Sequence, residues 1–223
     1  MNGVIGDILP SALGIALSPI PIIATILMLL SPDARRTSVG FMIGWIAGIV
    51  VAVTVFTLLA AIIPAADPSA SKPIAGTIKV LLGVGLLVLA WAQWRKRPHP
   101  GQTASAPKWM SAIDTMKPGA AFALAFLLAA ANPKNLLMAI SGGLAIGASA
   151  LVLWQEVVAI IVFVVIGAVS VVAPVVAFLI AGDRMSGPLD ALRVWLLANN
   201  ATIMTVLLLV IGVVTIGKGI ASF

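Results

Sequence analysis

Lys134 is the residue in this chain best placed to do chemistry, because it sits where a charge is expensive. It lies in Ala131-Asn132-Pro133-Lys134-Asn135-Leu136, with long apolar runs on both sides. An ammonium at the centre of a membrane helix costs on the order of 2.5 to 3.5 kcal/mol even on lenient insertion scales. Such a residue is expected to face a bundle interior or a wet cavity. Snorkelling to a headgroup is the competing use of so long a side chain, but the apolar runs on both sides make that route hard. Asn132 and Asn135 bring amide hydrogen-bonding groups to the same place, and Pro133 interrupts the backbone beside them. Lys79 is a second basic residue inside an apolar run; it lies near an end, where snorkelling is the stronger expectation. Glu156 is an acidic residue close to the outer end of the fifth expected span. If both lysines turn inward, either Glu156 or an anionic ligand must compensate them.

A matching interruption occurs early in the chain, at Ser18-Pro19-Ile20-Pro21, and a shift of 114 residues superposes Pro19 on Pro133. Proline donates no backbone hydrogen bond and clashes with the preceding turn. Peptide groups freed in this way survive in a membrane only where protein or a water-filled cavity surrounds them. One proline alone reads as a plain kink. Two at symmetric depth, one of them flanked by Asn132, Lys134 and Asn135, are the pattern of transporters whose broken helices frame a midplane site. The expected substrate-binding set is therefore Ser18, Pro19, Pro21, Asn132, Pro133, Lys134, Asn135 and Lys79, with no catalytic residue and no metal ligand.

The elements that must position this set are apolar spans. Of 223 residues, 61% are apolar and 9% charged, against about 25% charged in an ordinary globular domain. A crossing needs roughly 20 apolar residues, and the chain offers stretches at Val4 to Leu30, Val39 to Ile63, Ile74 to Trp94, Ala120 to Ile146, Leu151 to Ile180 and Ala201 to Ile220. The fold class expected is an all-α integral membrane protein of about six transmembrane helices. They would form an inverted three-plus-three repeat with Pro-broken first and fourth helices. Residues 1–223 form one transmembrane domain in this scheme: a first repeat at 1–95, a cytoplasmic linker at 96–117 and a second repeat at 118–223. Pro174 leaves open whether the fifth span is one long helix. The linker carries Trp109, Ile113 and Met116 on one helical stripe, and Pro188 to Leu197 has a comparable pattern of Leu192, Trp195 and Leu196. Both suit short helices lying in the interface, or ordinary loop packing.

Gly40, Gly44 and Gly48 leave one stripe of the second span almost without side chains. A neighbouring backbone can approach such a stripe closely. Packing within one subunit is the commoner use of such a stripe, and a homodimer seam the rarer one.

Charge sets the orientation. An extracytoplasmic amino terminus puts Arg35, Arg36, Arg95, Lys96, Arg97, Lys108, Lys117, Arg184 and Arg193 in the cytoplasm, leaving Lys72 and Lys218 outside. That is the expected bias of basic loops, and it accounts for the net charge of +6 without a nucleic-acid partner. Both termini then face out. No basic segment precedes the first apolar run, which is expected to be a retained span and not a cleaved signal. Cysteine is absent and the one histidine, His99, lies in a Pro-rich loop. Disulfides, thiolate metal sites and imidazole chemistry are therefore not expected, and no cofactor is. No span carries an acid and a histidine, or a serine with a base, on one face, so an enzyme is not expected either. A glycine-rich nucleotide loop is also missing.

The segment Pro10-Ser11-Ala12-Leu13-Gly14-Ile15-Ala16-Leu17-Ser18-Pro19-Ile20-Pro21-Ile22-Ile23-Ala24, followed by Leu29-Leu30-Ser31-Pro32-Asp33-Ala34-Arg35, resembles the opening of the actinobacterial glycolipid-addressing proteins, also called sulfolipid-addressing proteins. Ala131-Asn132-Pro133-Lys134-Asn135-Leu136 resembles their second signature, shared more loosely with the lysine-exporter (LysE) superfamily. The resemblance implies a multi-pass plasma-membrane protein that helps move a lipid or glycolipid envelope component outward. Its partners would be membrane lipids or a glycolipid substrate and a larger envelope-lipid export machine. Two other functions compete: a LysE-type exporter of a small polar solute such as an amino acid, and a non-transporting accessory subunit of a lipid-export machine.

Overall fold

Helices form because apolar residues fill long stretches, and they end where proline, glycine or charge intrudes. The computed structural model describes residues 1–62, 73–95, 113, 116–149 and 151–221. Among them every regular element is helical: α1 (Asn2–Ala16), α2 (Pro19–Leu29), α3 (Ala34–Ile62), α4 (Pro73–Arg95), α5 (Pro118–Ala130), α6 (Pro133–Gly147), α7 (Leu153–Ala181), a short 3-10 turn (Gly182–Met185) and α8 (Ser186–Ile220).

Among the described residues three helices are long and apolar enough to cross a membrane: Ala34–Ala60, Leu153–Ala181 and Ser186–Ile220. Two bent pairs raise the number to as many as five. Gly3–Ala16 meets Pro19–Leu29 at 49°, and Pro118–Ala130 meets Pro133–Gly147 at 61°. The third expected span, Ile74 to Trp94, falls on α4, whose described apolar stretch, Val80–Arg95, is too short to count among them. Pro174 does not interrupt α7, which runs unbroken to Ala181. Pro188 to Leu197 is not a separate helix but the first part of α8. Its expected stripe is split, since Leu196 is buried while Leu192 and Trp195 are exposed. Asp190 and Arg193 pair at 2.6 Å on the same segment. Of the linker stripe, Ile113 is buried and Trp109 lies outside the described residues. The loops carrying Asp67 and His99 lie outside them as well.

The chain divides into two compact units. The first, Met1–Ile62 with Ser105–Leu197, holds α1, α2, α3, α5, α6, α7 and the start of α8. Helix α3 is its spine, packed along both α5 and α6, while α1 lies against α6 and α7. Glycine makes the α3 contacts close. A Cβ at Gly40 would sit 2.6 Å from the Pro118 carbonyl oxygen, one at Gly48 2.6 Å from the Ala129 Cβ, and one at Gly44 would collide with the Phe122 carbonyl. The glycine stripe is thus occupied by α5 of the same chain. From the other side, Gly143 and Gly147 of α6 press against Val53, Phe56, Thr57 and Ala60 of α3. Trp45, fully buried on α3, donates its indole N–H to the Gly167 carbonyl of α7 at 3.4 Å.

In the second unit, Ile63–Ala104 with Ala198–Phe223, α4 and the end of α8 also meet through glycines. Gly83 faces Ile216, Gly212 faces Leu87 and Gly219 faces Val80. Trp91 and Trp94 are exposed at the end of α4, and the Arg95 guanidinium lies 5.0 Å over the Trp91 ring. Large apolar side chains are bared along the helices, among them Ile180 at 82% and Leu153 at 77% exposure. Soluble monomers rarely expose apolar patches beyond a few hundred Å²; lipid is the solvent that suits these surfaces, and the chain is a membrane protein.

Candidate functional site

The two proline breaks are built differently, and one side chain connects them. At the first, Pro19 occupies the opening of α2, so its nitrogen offers no N–H to the Ile15 carbonyl, its partner in a continuous helix. The N–H of Ser18 turns to fill that place, donating to Ile15 O at 3.2 Å. That move leaves the Gly14 carbonyl without its usual donor four residues on. Lys134 supplies the replacement: its Nζ donates to Gly14 O at 2.5 Å, across 120 residues of sequence. The lysine is only 7% exposed. Among the described residues no ion pair holds its ammonium. A hydrogen bond from a charged donor contributes about 1.5–3 kcal/mol, so this contact offsets much of the cost of desolvating the ammonium without cancelling its charge.

The second break repairs itself with side chains. Ala131 N–H reaches the Leu127 carbonyl, and the Leu128 carbonyl, next in line, accepts from Asn135 Nδ2 at 2.9 Å. Asn132 is the N-cap of α6, its Oδ1 accepting from the Lys134 N–H at 3.1 Å. This is the use for which asparagine is favoured at helix starts. Asn135 is fully buried, and its Oδ1 has no hydrogen-bond partner among the described residues. A buried acceptor left over in this way costs about 1–3 kcal/mol, which a ligand or water donor would recover.

Of the expected set, Lys134, Asn132 and Asn135 share the first turn of α6, and Lys134 reaches the α1 end of the first break. Ser18, Pro19 and Pro21 are buried at that break, but Ser18 makes no side-chain capping bond and the Pro21 carbonyl is taken by Thr25 Oγ1 at 2.8 Å. Pro133 is exposed. Lys79 belongs to α4, and its side chain lies outside the described residues. Glu156 sits in the first turn of α7, partly exposed.

Gly14 was the residue that sequence reasoning missed. A signal for it existed: a carbonyl one turn before a proline break loses its donor as the chain rearranges, whatever side chain it carries.

A family model described as Sap, sulfolipid-1-addressing protein, matches residues 8–221. Comparison with curated proteins and with solved structures finds no match. The matched region takes in both broken helices and the lysine that joins them, so the chain belongs to the sulfolipid-1-addressing protein family.

Proposed function

We propose that this chain is a carrier, not an enzyme, that moves an anionic lipid or glycolipid component of the cell envelope across or out of the plasma membrane. Family membership supplies the coarse assignment, a role in handling envelope lipid. The observation that carries the finer one is the Lys134–Gly14 bond, a buried amino group with no carboxylate partner among the described residues, at the meeting of two broken helices. In a poorly solvated interior the Coulomb attraction of an ammonium for an anion far exceeds its value in water. A phosphate, sulfate or carboxylate of the cargo would pair with Lys134, and Asn135 would offer its free Oδ1 to a hydroxyl. The matched bends also support the six-span inverted repeat, with α1–α2, α3 and α4 answered by α5–α6, α7 and α8.

In this proposal membrane lipids or a glycolipid are the substrate, and a larger export machine is the downstream partner. Purified protein in liposomes is expected to move a fluorescent sulfated or phosphorylated lipid between leaflets faster than protein-free liposomes. Lipid that stays put would sink the carrier reading and favour an accessory subunit; movement of amino acids alone would favour a polar-solute exporter.

Both termini are proposed to be extracytoplasmic. Single cysteines at Asp67 and Gln102 test this in intact cells with an impermeant thiol reagent. Labelling is expected at Asp67, and labelling at Gln102 alone would reverse the orientation.

A further inference from the structure

At the junction of α2 with α3 the first unit contains an open cavity of about 740 Å³, completed by the end of α7 and the start of α8. Its chemistry divides in two. Leu30, half-buried, with the almost fully buried Leu29 and Phe178, makes its smaller apolar side, while Arg35 and Arg36 stand exposed at its polar side. Neither guanidinium is in an ion pair among the described residues. Asp33 also lines the cavity, so the local balance is two cations against one anion.

The backbone keeps the cavity open. The Ser31 hydroxyl donates to the Met28 carbonyl at 2.7 Å, and the Asp33 carbonyl accepts from Thr37 Oγ1 at 2.9 Å, so the turn between the helices is pinned at both ends. Gly182 ends α7 at φ 59°, a conformation that disfavours any residue with a Cβ. The chain can turn there without placing a side chain in the cavity.

We propose that this cavity is a docking site for the anionic headgroup of a lipid, separate from the Lys134 site, with Arg35 and Arg36 holding the headgroup and Leu30 meeting the first part of its acyl chain. Paired guanidiniums suit a phosphate or sulfate because each can bind two oxygens in a planar fork. A free inorganic anion would use only the arginines and leave the apolar lining without a partner. The inference deepens the carrier reading by naming where its substrate first binds, and rests on that reading only for the movement that follows.

The test is equilibrium binding, which needs no transport. Purified protein in neutral detergent is titrated with fluorescent phosphatidic acid, with phosphatidylcholine, inorganic phosphate and inorganic sulfate as competitors. We expect R35Q/R36Q to weaken phosphatidic acid binding at least tenfold. R35K/R36K, which keeps the charge and so reports on folding, should lose much less. Phosphatidylcholine and the inorganic ions should compete poorly. Unchanged binding by R35Q/R36Q would overturn the site, and inorganic phosphate or sulfate competing as well as the lipid would overturn its assignment to lipid. Binding that survives in a protein that moves no lipid would sink the carrier reading and leave this site standing.

Discussion

The two broken helices solve one problem by opposite means. The break between α5 and α6 is repaired locally, by Asn132 capping α6 and Asn135 reaching back to Leu128. It is also seated on α3 from both sides through backbone contacts at glycines. The break between α1 and α2 has no capping side chain, and its stranded Gly14 carbonyl is satisfied from the other break, by Lys134. The second broken helix is therefore built as a fixed platform and the first depends on it. A ligand anion that drew Lys134 away would release the first break and leave the second intact.

Overpacking the platform should have the largest effect on stability. Gly147→Leu places atoms against the Thr57 carbonyl and the Ala60 Cβ, and forcing such bulk into a packed seam costs about 1–3 kcal/mol or more. Thermal unfolding in detergent should show a clear drop, and an unchanged midpoint would mean that the seam is loose.

Side-chain repair at the second break comes next. Asn135→Ala removes the donor to Leu128 O in a buried setting and should cost about 1–3 kcal/mol. Asn132→Ala should cost about 1 kcal/mol as a lost cap. Ser18→Ala, at the break with no capping side chain, should fall within about 0.5 kcal/mol of the parent. Equal losses at Ser18 and Asn135 would erase the difference between the two breaks.

Much of this was legible in the sequence, for physical reasons. Apolar runs longer than a crossing declared the membrane class, and Pro19 and Pro133 declared both interruptions, because proline's missing N–H acts wherever the residue is placed. Burial of Lys134 followed from the apolar runs around it. The partner of Lys134 did not, because a backbone carbonyl carries no residue-type signal and its loss of a donor appears only once Ser18 turns. The seat of α3 between α5 and α6 was half legible: Gly40, Gly44 and Gly48 announced a close approach, but not by which helix. The start of α8 was half legible: the stripe of Leu192, Trp195 and Leu196 suited a helix over Pro188 to Leu197, but not its continuation into the last span, and proline is tolerated in a first helical turn.

In the proposed carrier, Lys134 holds the two breaks together and receives the anionic group of the lipid. Lys134→Met keeps the apolar stem and deletes the ammonium, whereas Lys134→Arg keeps the charge in a wider, planar head. The direct measurement is lipid movement by both variants in liposomes, at protein amounts matched by folded, detergent-soluble yield. The account predicts that Met abolishes movement and Arg retains part of it; full movement by the Met variant would contradict it.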